Sequence, residues 1–161
     1  MKLAAPIEIR RAVAENAPAI AGVLHEAFVE FQDLYTERGF AATTPDSGQV
    51  LARMEEGPVW IALREGVVIG TAAAVAKGDS IYIRGMAVLP AARGSGCGAA
   101  LLQHVEAWAA GLRCSRLYLS TTPFLHSAIR LYEASGFLRT SAGPHELFGT
   151  PLFTMEKFIS R

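Results

Sequence analysis

Met86-Ala87-Val88-Leu89-Pro90-Ala91-Ala92-Arg93-Gly94-Ser95-Gly96-Cys97-Gly98-Ala99 reads as the end of a strand, a proline stop, an arginine, three alternating glycines and the start of an amphipathic helix. Glycines let the backbone turn tightly and approach a ligand closely. The free amides at the helix start point outward, and the helix dipole favours an anion there. The stretch is therefore expected to cradle a phosphate or diphosphate. A nucleotide P-loop would need Lys and then Ser or Thr after the last glycine, whereas Ala99-Ala100 follow here. A dinucleotide fingerprint is formally met by Gly94, Gly96 and Ala99. It also wants an acid at the end of the next strand, and that strand ends in Ser120-Thr121-Thr122. A plain packing turn would explain the glycines but not Arg93.

Upstream of this stretch the pattern predicts a strand over residues 7–13, a helix capped by Asn16, and an apolar face of Ile20, Leu24, Ala27, Phe31 and Leu34 that Gly39 ends. Residues 43–48 read as a loop that caps a short helix through Met54, and Gly57-Pro58 stops it. Residues 59–63 and 67–76 read as an antiparallel hairpin, and residues 80–89 as a fourth strand that Pro90 closes. Downstream, a helix is expected over about 96–110, with Leu101, Leu102, Val105, Trp108, Ala109 and Leu112 on one apolar face. Residues 115–120 read as a fifth strand, 127–134 as a helix, and 137–140 and 152–158 as the last strands. Hairpins early and strand–helix alternation late imply a single α/β domain over residues 1–161. Its mixed, mostly antiparallel sheet has helices on both faces.

The 161 residues suit one domain, and 51% hydrophobic residues exclude a disordered chain. Fifteen basic residues balance fifteen acidic ones, which disfavours a nucleic-acid partner held by broad phosphate neutralisation. Cys97 and Cys114 are the only cysteines, and no Cys/His spacing suggests a metal site. The N-terminus turns polar too early for a signal peptide, and no apolar run reaches the length of a membrane span. A cytoplasmic setting without a membrane partner is the expectation.

Arg93-Gly94-Ser95-Gly96-Cys97-Gly98 resembles the Arg/Gln-x-x-Gly-x-Gly/Ala loop of the GCN5-related N-acetyltransferase (GNAT) superfamily. Met86-Ala87-Val88 before Pro90 looks like the end of that family's fourth strand. Ala128-Ile129-Arg130-Leu131-Tyr132-Glu133-Ala134-Ser135-Gly136-Phe137 looks like its second motif, at the expected separation. The resemblance implies six to seven strands, splayed between the fourth and fifth, and an acetyl-CoA site without a metal. Amides of Arg93, Gly94, Ser95, Gly96, Cys97, Gly98 and Ala99 would hold the diphosphate. The edge formed by Met86, Ala87 and Val88 would pair with the pantetheine arm, and an amide near Val88 would polarise the acetyl carbonyl. Tyr132 would protonate the departing thiolate, since a phenol of reference pKa about 10 can serve a thiolate of about 8.5. Where the family often carries Asn, this chain has Leu125.

The resemblance implies transfer of an acetyl group to a primary amine by direct attack, with a small-molecule or peptide acceptor. A non-catalytic acyl-CoA sensor is the alternative. A homodimer is also considered, because small enzymes often pair through exposed late strands. Candidate acceptor contacts are Tyr82 and Arg84, which period two places on the face of Met86, together with His126 after the fifth strand. Glu26, Glu30, Asp33 and Glu37 make an acidic stripe that would attract a cationic amine, or else form a solvated face. Cys97 stands at a helix start, where a thiol pKa can fall, or packs inward.

Overall fold

The computed structural model describes residues 5–143 and 145–159. Its elements are β1 (Glu8–Arg11), α1 (Ala17–Phe28), α2 (Glu37–Thr43), α3 (Ser47–Glu56), β2 (Val59–Arg64), β3 (Val67–Lys77), β4 (Ser80–Val88), α4 (Cys97–Gly111), β5 (Arg116–Thr121), α5 (His126–Ala134), β6 (Leu138–Arg139), β7 (His145–Leu147) and β8 (Thr150–Phe158). The sheet runs β1-β2-β3-β4-β5-β8-β6, with β7 paired to β8. Every pairing is antiparallel except β4 with β5. The expected mixed and splayed architecture is the one the chain adopts, with eight strands rather than six to seven.

Tight turns set the frame. Glu65 and Gly66 join β2 to β3 with φ of +51° and +78°. Two successive positive φ values give a two-residue turn whose twist matches that of the strands. β2 is buried on both faces, so it reads as a continuous apolar run. Trp60 and Ala62 pack with Ile81, Ile83, Leu101 and Val105 beneath α4. Ile61 and Leu63 pack with Ile20, Leu24 and Val50 beneath α1 and α3. Fully burying each such aliphatic side chain contributes about 1.5–3 kcal/mol.

Two irregularities shape the middle of the sheet. Thr71 pairs with Ala87 and Ala73 with Arg84, so Gly85 and Met86 together oppose the single residue Ala72. This bulge, with Gly85 at φ +56°, inverts the parity of β4. Met86 packs on the α4 side and Ala87 in the α1 side, so the expected common face of Tyr82, Arg84 and Met86 breaks there. Beyond it, β4 and β5 pair only from Ser80↔Arg116 to Tyr82↔Tyr118 and then separate.

Several expected boundaries move. The helix expected to run to Gly39 ends at Phe28 and tightens into a 3-10 turn over Val29–Leu34. That winding turns Phe31 and Tyr35 toward Phe124, at 6.2 and 4.9 Å between ring centres. Gly39 lies inside α2 instead of ending a helix: α2 is capped by the Thr36 hydroxyl, and a Cβ at Gly39 would strike the Thr150 hydroxyl of β8. Asp46 and Gln49 form a reciprocal capping box that starts α3. Leu112, expected on the apolar face of α4, falls past its end and is 51% exposed, because the chain turns outward through Arg113 at φ +60°. β7 was not expected at all: Gly143 and Gly149 punctuate a three-residue strand too short to show alternation.

Gly57 and Gly22 test the packing with opposite signs. Gly57 has an extended backbone that any residue adopts, but a Cβ there would collide with the Ala74 carbonyl. Gly57→Ala is expected to destabilise by about 1–3 kcal/mol through overpacking. Gly22 sits inside α1, where a Cβ meets nothing within 4 Å. Gly22→Ala is expected to stabilise by about 0.5–1 kcal/mol. Urea denaturation of both variants reads the signs directly, and equal signs would contradict this packing.

Candidate active site

The loop between β4 and α4 is built to leave backbone donors free. Gly94 and Gly96 hold φ of +78° and +87°, a region that side-chain-bearing residues rarely enter. A Cβ at either would meet nothing within 4 Å, so the loop faces open space. The first amide bond of α4 runs from Ala100 N to Gly96 O at 3.0 Å. The amides of Cys97, Gly98 and Ala99 therefore have no helical acceptor. Among the described residues, no backbone or side-chain acceptor takes those of Gly94 or Gly96 either. Ser95 is satisfied locally, its amide and hydroxyl both reaching the Ala92 carbonyl at 3.3 and 2.5 Å. Gly98 serves packing: a Cβ there would lie 2.6 Å from Leu131 Cδ2, so α4 and α5 approach closely at this point.

Arg93 clamps the loop to the end of α1. Its Nη1 meets Glu30 Oε1 at 2.6 Å, and its Nη2 donates to the Ala27 carbonyl at 3.2 Å. Glu30, read from sequence as an acceptor contact, is thus the ion-pair partner of Arg93 and lines neither cavity described below. Glu26, Asp33 and Glu37 are exposed, as a solvated face would be.

From the loop a cavity of about 250 Å³ runs along Met86, Ala87 and Val88 to Leu131 and Tyr132. The Leu89 amide donates to the Ile69 carbonyl of β3 at 2.8 Å. Alternation along the strand then turns the N–H and C=O of Val88 toward the gap left by β5. Cys97 is buried against this cavity, and burial pushes its thiol pKa up, which removes the activated-thiol reading.

A second cavity of about 310 Å³ lies on the far side of Tyr132, and Phe28, Met86, Leu125, Ala128 and Tyr132 belong to both. Tyr82 and Arg84 line it, as does Met86 despite the broken parity. Tyr82 also stacks on Tyr118 at 5.2 Å. His126 is exposed at the start of α5 and borders neither cavity. Two residues escaped the sequence reading. Tyr35 lines the second cavity from the end of the 3-10 turn Val29–Leu34, and Arg53 lines it from α3. The only available signal was weak: each sits beside apolar positions of a helical run, where core packing is the simpler reading.

Tyr132 is buried, and its pKa is pushed well above the usual phenol value by burial first and by Tyr35 second. It keeps its proton at any ordinary pH, so it can donate but not serve as a base. Burial likewise pushes Tyr35 up to about 12, against the pull of the nearby Thr43 hydroxyl.

The sequence profile of the Acetyltransferase (GNAT) family matches residues 20–137. The chain is 31% identical over 136 residues to the Escherichia coli protein described as uncharacterized N-acetyltransferase YjgM, covering 80% of each. It superposes on the PaiA N-acetyltransferase of Thermoplasma acidophilum in complex with coenzyme A, with a TM-score of 0.82 at 17% identity over 96% and 99% of the two chains. A Salmonella typhimurium putative acetyltransferase with its cofactor acetyl-CoA gives 0.74 at 22% identity over 96% and 94%. At these identities the structural likeness speaks for the fold.

The buried phenols make stability depend on alkaline pH. Tyr35 ionises near 10 when unfolded and near 12 when folded, so its contribution is complete below pH 10 and is lost as pH rises toward 12. Urea midpoints are expected to fall across that window, and Tyr35→Phe to remove up to about one proton from the slope. An unchanged slope in the variant would contradict the burial of this phenol.

Proposed function

The chain belongs to the GNAT acetyltransferase family, an acetyl-CoA-dependent N-acetyltransferase, and from that premise we propose that it transfers acetyl to a primary amine by direct attack within a ternary complex. The observation that carries the reading is the pair of cavities meeting at Tyr132 and Met86. One cavity begins at free loop amides, as a diphosphate-bearing substrate requires, and the other opens from the opposite side. Two chambers with one shared wall suit two substrates held together, and argue against the binding-only alternative.

The residues present fit coenzyme A. Free amides of Gly94, Gly96, Cys97, Gly98 and Ala99 suit the diphosphate, in the open space where a Cβ would meet nothing at Gly94 and Gly96. The unpaired edge at Met86 and Val88 suits the amides of the pantetheine arm, which would add to β4 as a strand does. Leu125, in place of the frequent Asn, offers this arm only an apolar contact.

Transfer needs three things from the protein. Val88 N–H, facing the gap, donates a hydrogen bond to the thioester oxygen as negative charge develops there during attack by the amine. Tyr132 donates its proton to the departing sulfur, so the C–S bond breaks to a thiol as the C–N bond forms. Its raised pKa makes it a weaker acid than a free phenol, but the same desolvation makes a buried thiolate a stronger base. The amine's surplus proton leaves to water, since among the described residues lining the second cavity there is no carboxylate and no histidine to take it, and water returns a proton to the Tyr132 phenolate, which closes the balance. Among the described residues no group of His, Cys, Asp and Glu is arranged to hold a metal, and no helix is long and apolar enough to cross a membrane.

Tyr132→Phe tests the acid. The turnover number is expected to fall roughly 10²- to 10⁴-fold, while coenzyme A still raises the melting temperature of the folded variant. Unchanged turnover would remove Tyr132 from the chemistry and hand the proton to water.

A further inference from the structure

Among the described residues, the second cavity is lined by two arginines and by no carboxylate. Its ionisable lining, apart from tyrosines, consists of Arg53 and Arg84. Arg84 is matched: its Nη2 meets Glu56 Oε2 at 2.8 Å. Arg53 is not. Its Nη2 donates to the backbone carbonyl of Ala42 at 3.2 Å, and among the described residues no carboxylate lies within ion-pair distance of it. The two arginines and Glu56 leave a surplus of one positive charge beside the cavity.

The position of Arg53 is prepared. Its Nη1 lies against Gly85 of the β4 bulge, where a Cβ would stand only 3.0 Å away. The glycine that makes the bulge thus also admits the guanidinium. The next residue along the strand, Met86, is part of the wall shared with the other cavity. The Arg53 guanidinium thus stands beside the residue that precedes this shared wall on β4. Burial first and the charge of Arg84 second lower the pKa of Arg53, only partly offset by Tyr82 and Glu56.

Building on the acetyl-transfer reading above, we propose that the acceptor is a small amine that also carries a carboxylate, an amino-acid-type molecule. Its carboxylate is received by Arg53, with Arg84 beside it, and its amine is directed to the wall at Met86 and Tyr132. A planar guanidinium takes a carboxylate through two parallel hydrogen bonds, which fixes orientation as well as affinity. At about 310 Å³ the cavity is at the lower end for small-molecule sites. The acidic residues of α1 and α2 lie outside this chamber, so a polycationic amine finds no counter-charge where it would have to bind.

The test compares L-amino acids with their carboxamides and with the decarboxylated amines, following thiol release at saturating acetyl-CoA. Free carboxylates are expected to be favoured roughly 10- to 100-fold in kcat/KM, mostly through KM. Arg53→Met should erase that preference, Arg53→Lys should restore part of it, and both should keep the thermal shift given by coenzyme A. A panel in which no carboxylate outperforms its amide, or an Arg53→Met that lowers both series equally, overturns the proposal. Loss of the coenzyme A shift in the wild-type protein would instead overturn the acetyl-transfer reading itself.

Discussion

Strands β4 and β5 pair over three residues and then part, and the rest of the molecule is arranged around that separation. A backbone donor or acceptor left unpaired in a buried sheet costs about 1–3 kcal/mol. An interior sheet therefore opens only where something else fills the gap. Here the flanks hold the opening in place. β3 ties β4 on one side, β8 ties β5 over six pairs on the other, and Gly85 and Met86 bend β4 at the point where the strands diverge. The cost is borne by a sheet whose two faces are each sealed by a helical layer.

The separation also sorts the chemistry. On one side lie backbone amides at the start of α4, a neutral source of positive potential that suits a diphosphate without binding it to any one side chain. On the other lie guanidinium groups on α3 and β4, whose side chains select by shape as well as charge. Tyr132, buried between the two, does not lose its proton to solvent at ordinary pH. The negative charge of the first helical segment is neutralised in part by Arg93 and otherwise faces solvent. Arg93 thereby fastens the glycine loop to α1. As a half-exposed pair it adds little stability, and its use is to position the loop.

The glycine-loop cavity was legible because its lining is largely local. Pro90, Arg93, the alternating glycines and the helix after them are contiguous, and each residue type has a backbone reason to be there. The motif around Tyr132 was equally contiguous. The second cavity was not, because it is assembled from separate segments. Tyr35 and Arg53 come from the first third of the chain and meet Arg84 and Thr122 only after the sheet has formed. Period two misjudged Met86 for a related reason: a bulge inserts one residue and inverts every face after it, and a lone glycine in an apolar strand announces it weakly. The same holds for α1. Its apolar spacing continued past Phe28, while the ring contacts of Phe31 and Tyr35 with Phe124, distant in sequence, required a tighter turn.

Amide chemical shifts followed by NMR during a titration with coenzyme A address the central claim most directly. The account predicts large shifts at Gly94, Gly96, Cys97, Gly98, Ala99 and Val88 as the protein saturates. Pantetheine, which lacks the diphosphate, should move Val88 and leave the glycine loop in place. Saturation by coenzyme A with the loop amides and Val88 unmoved would contradict it.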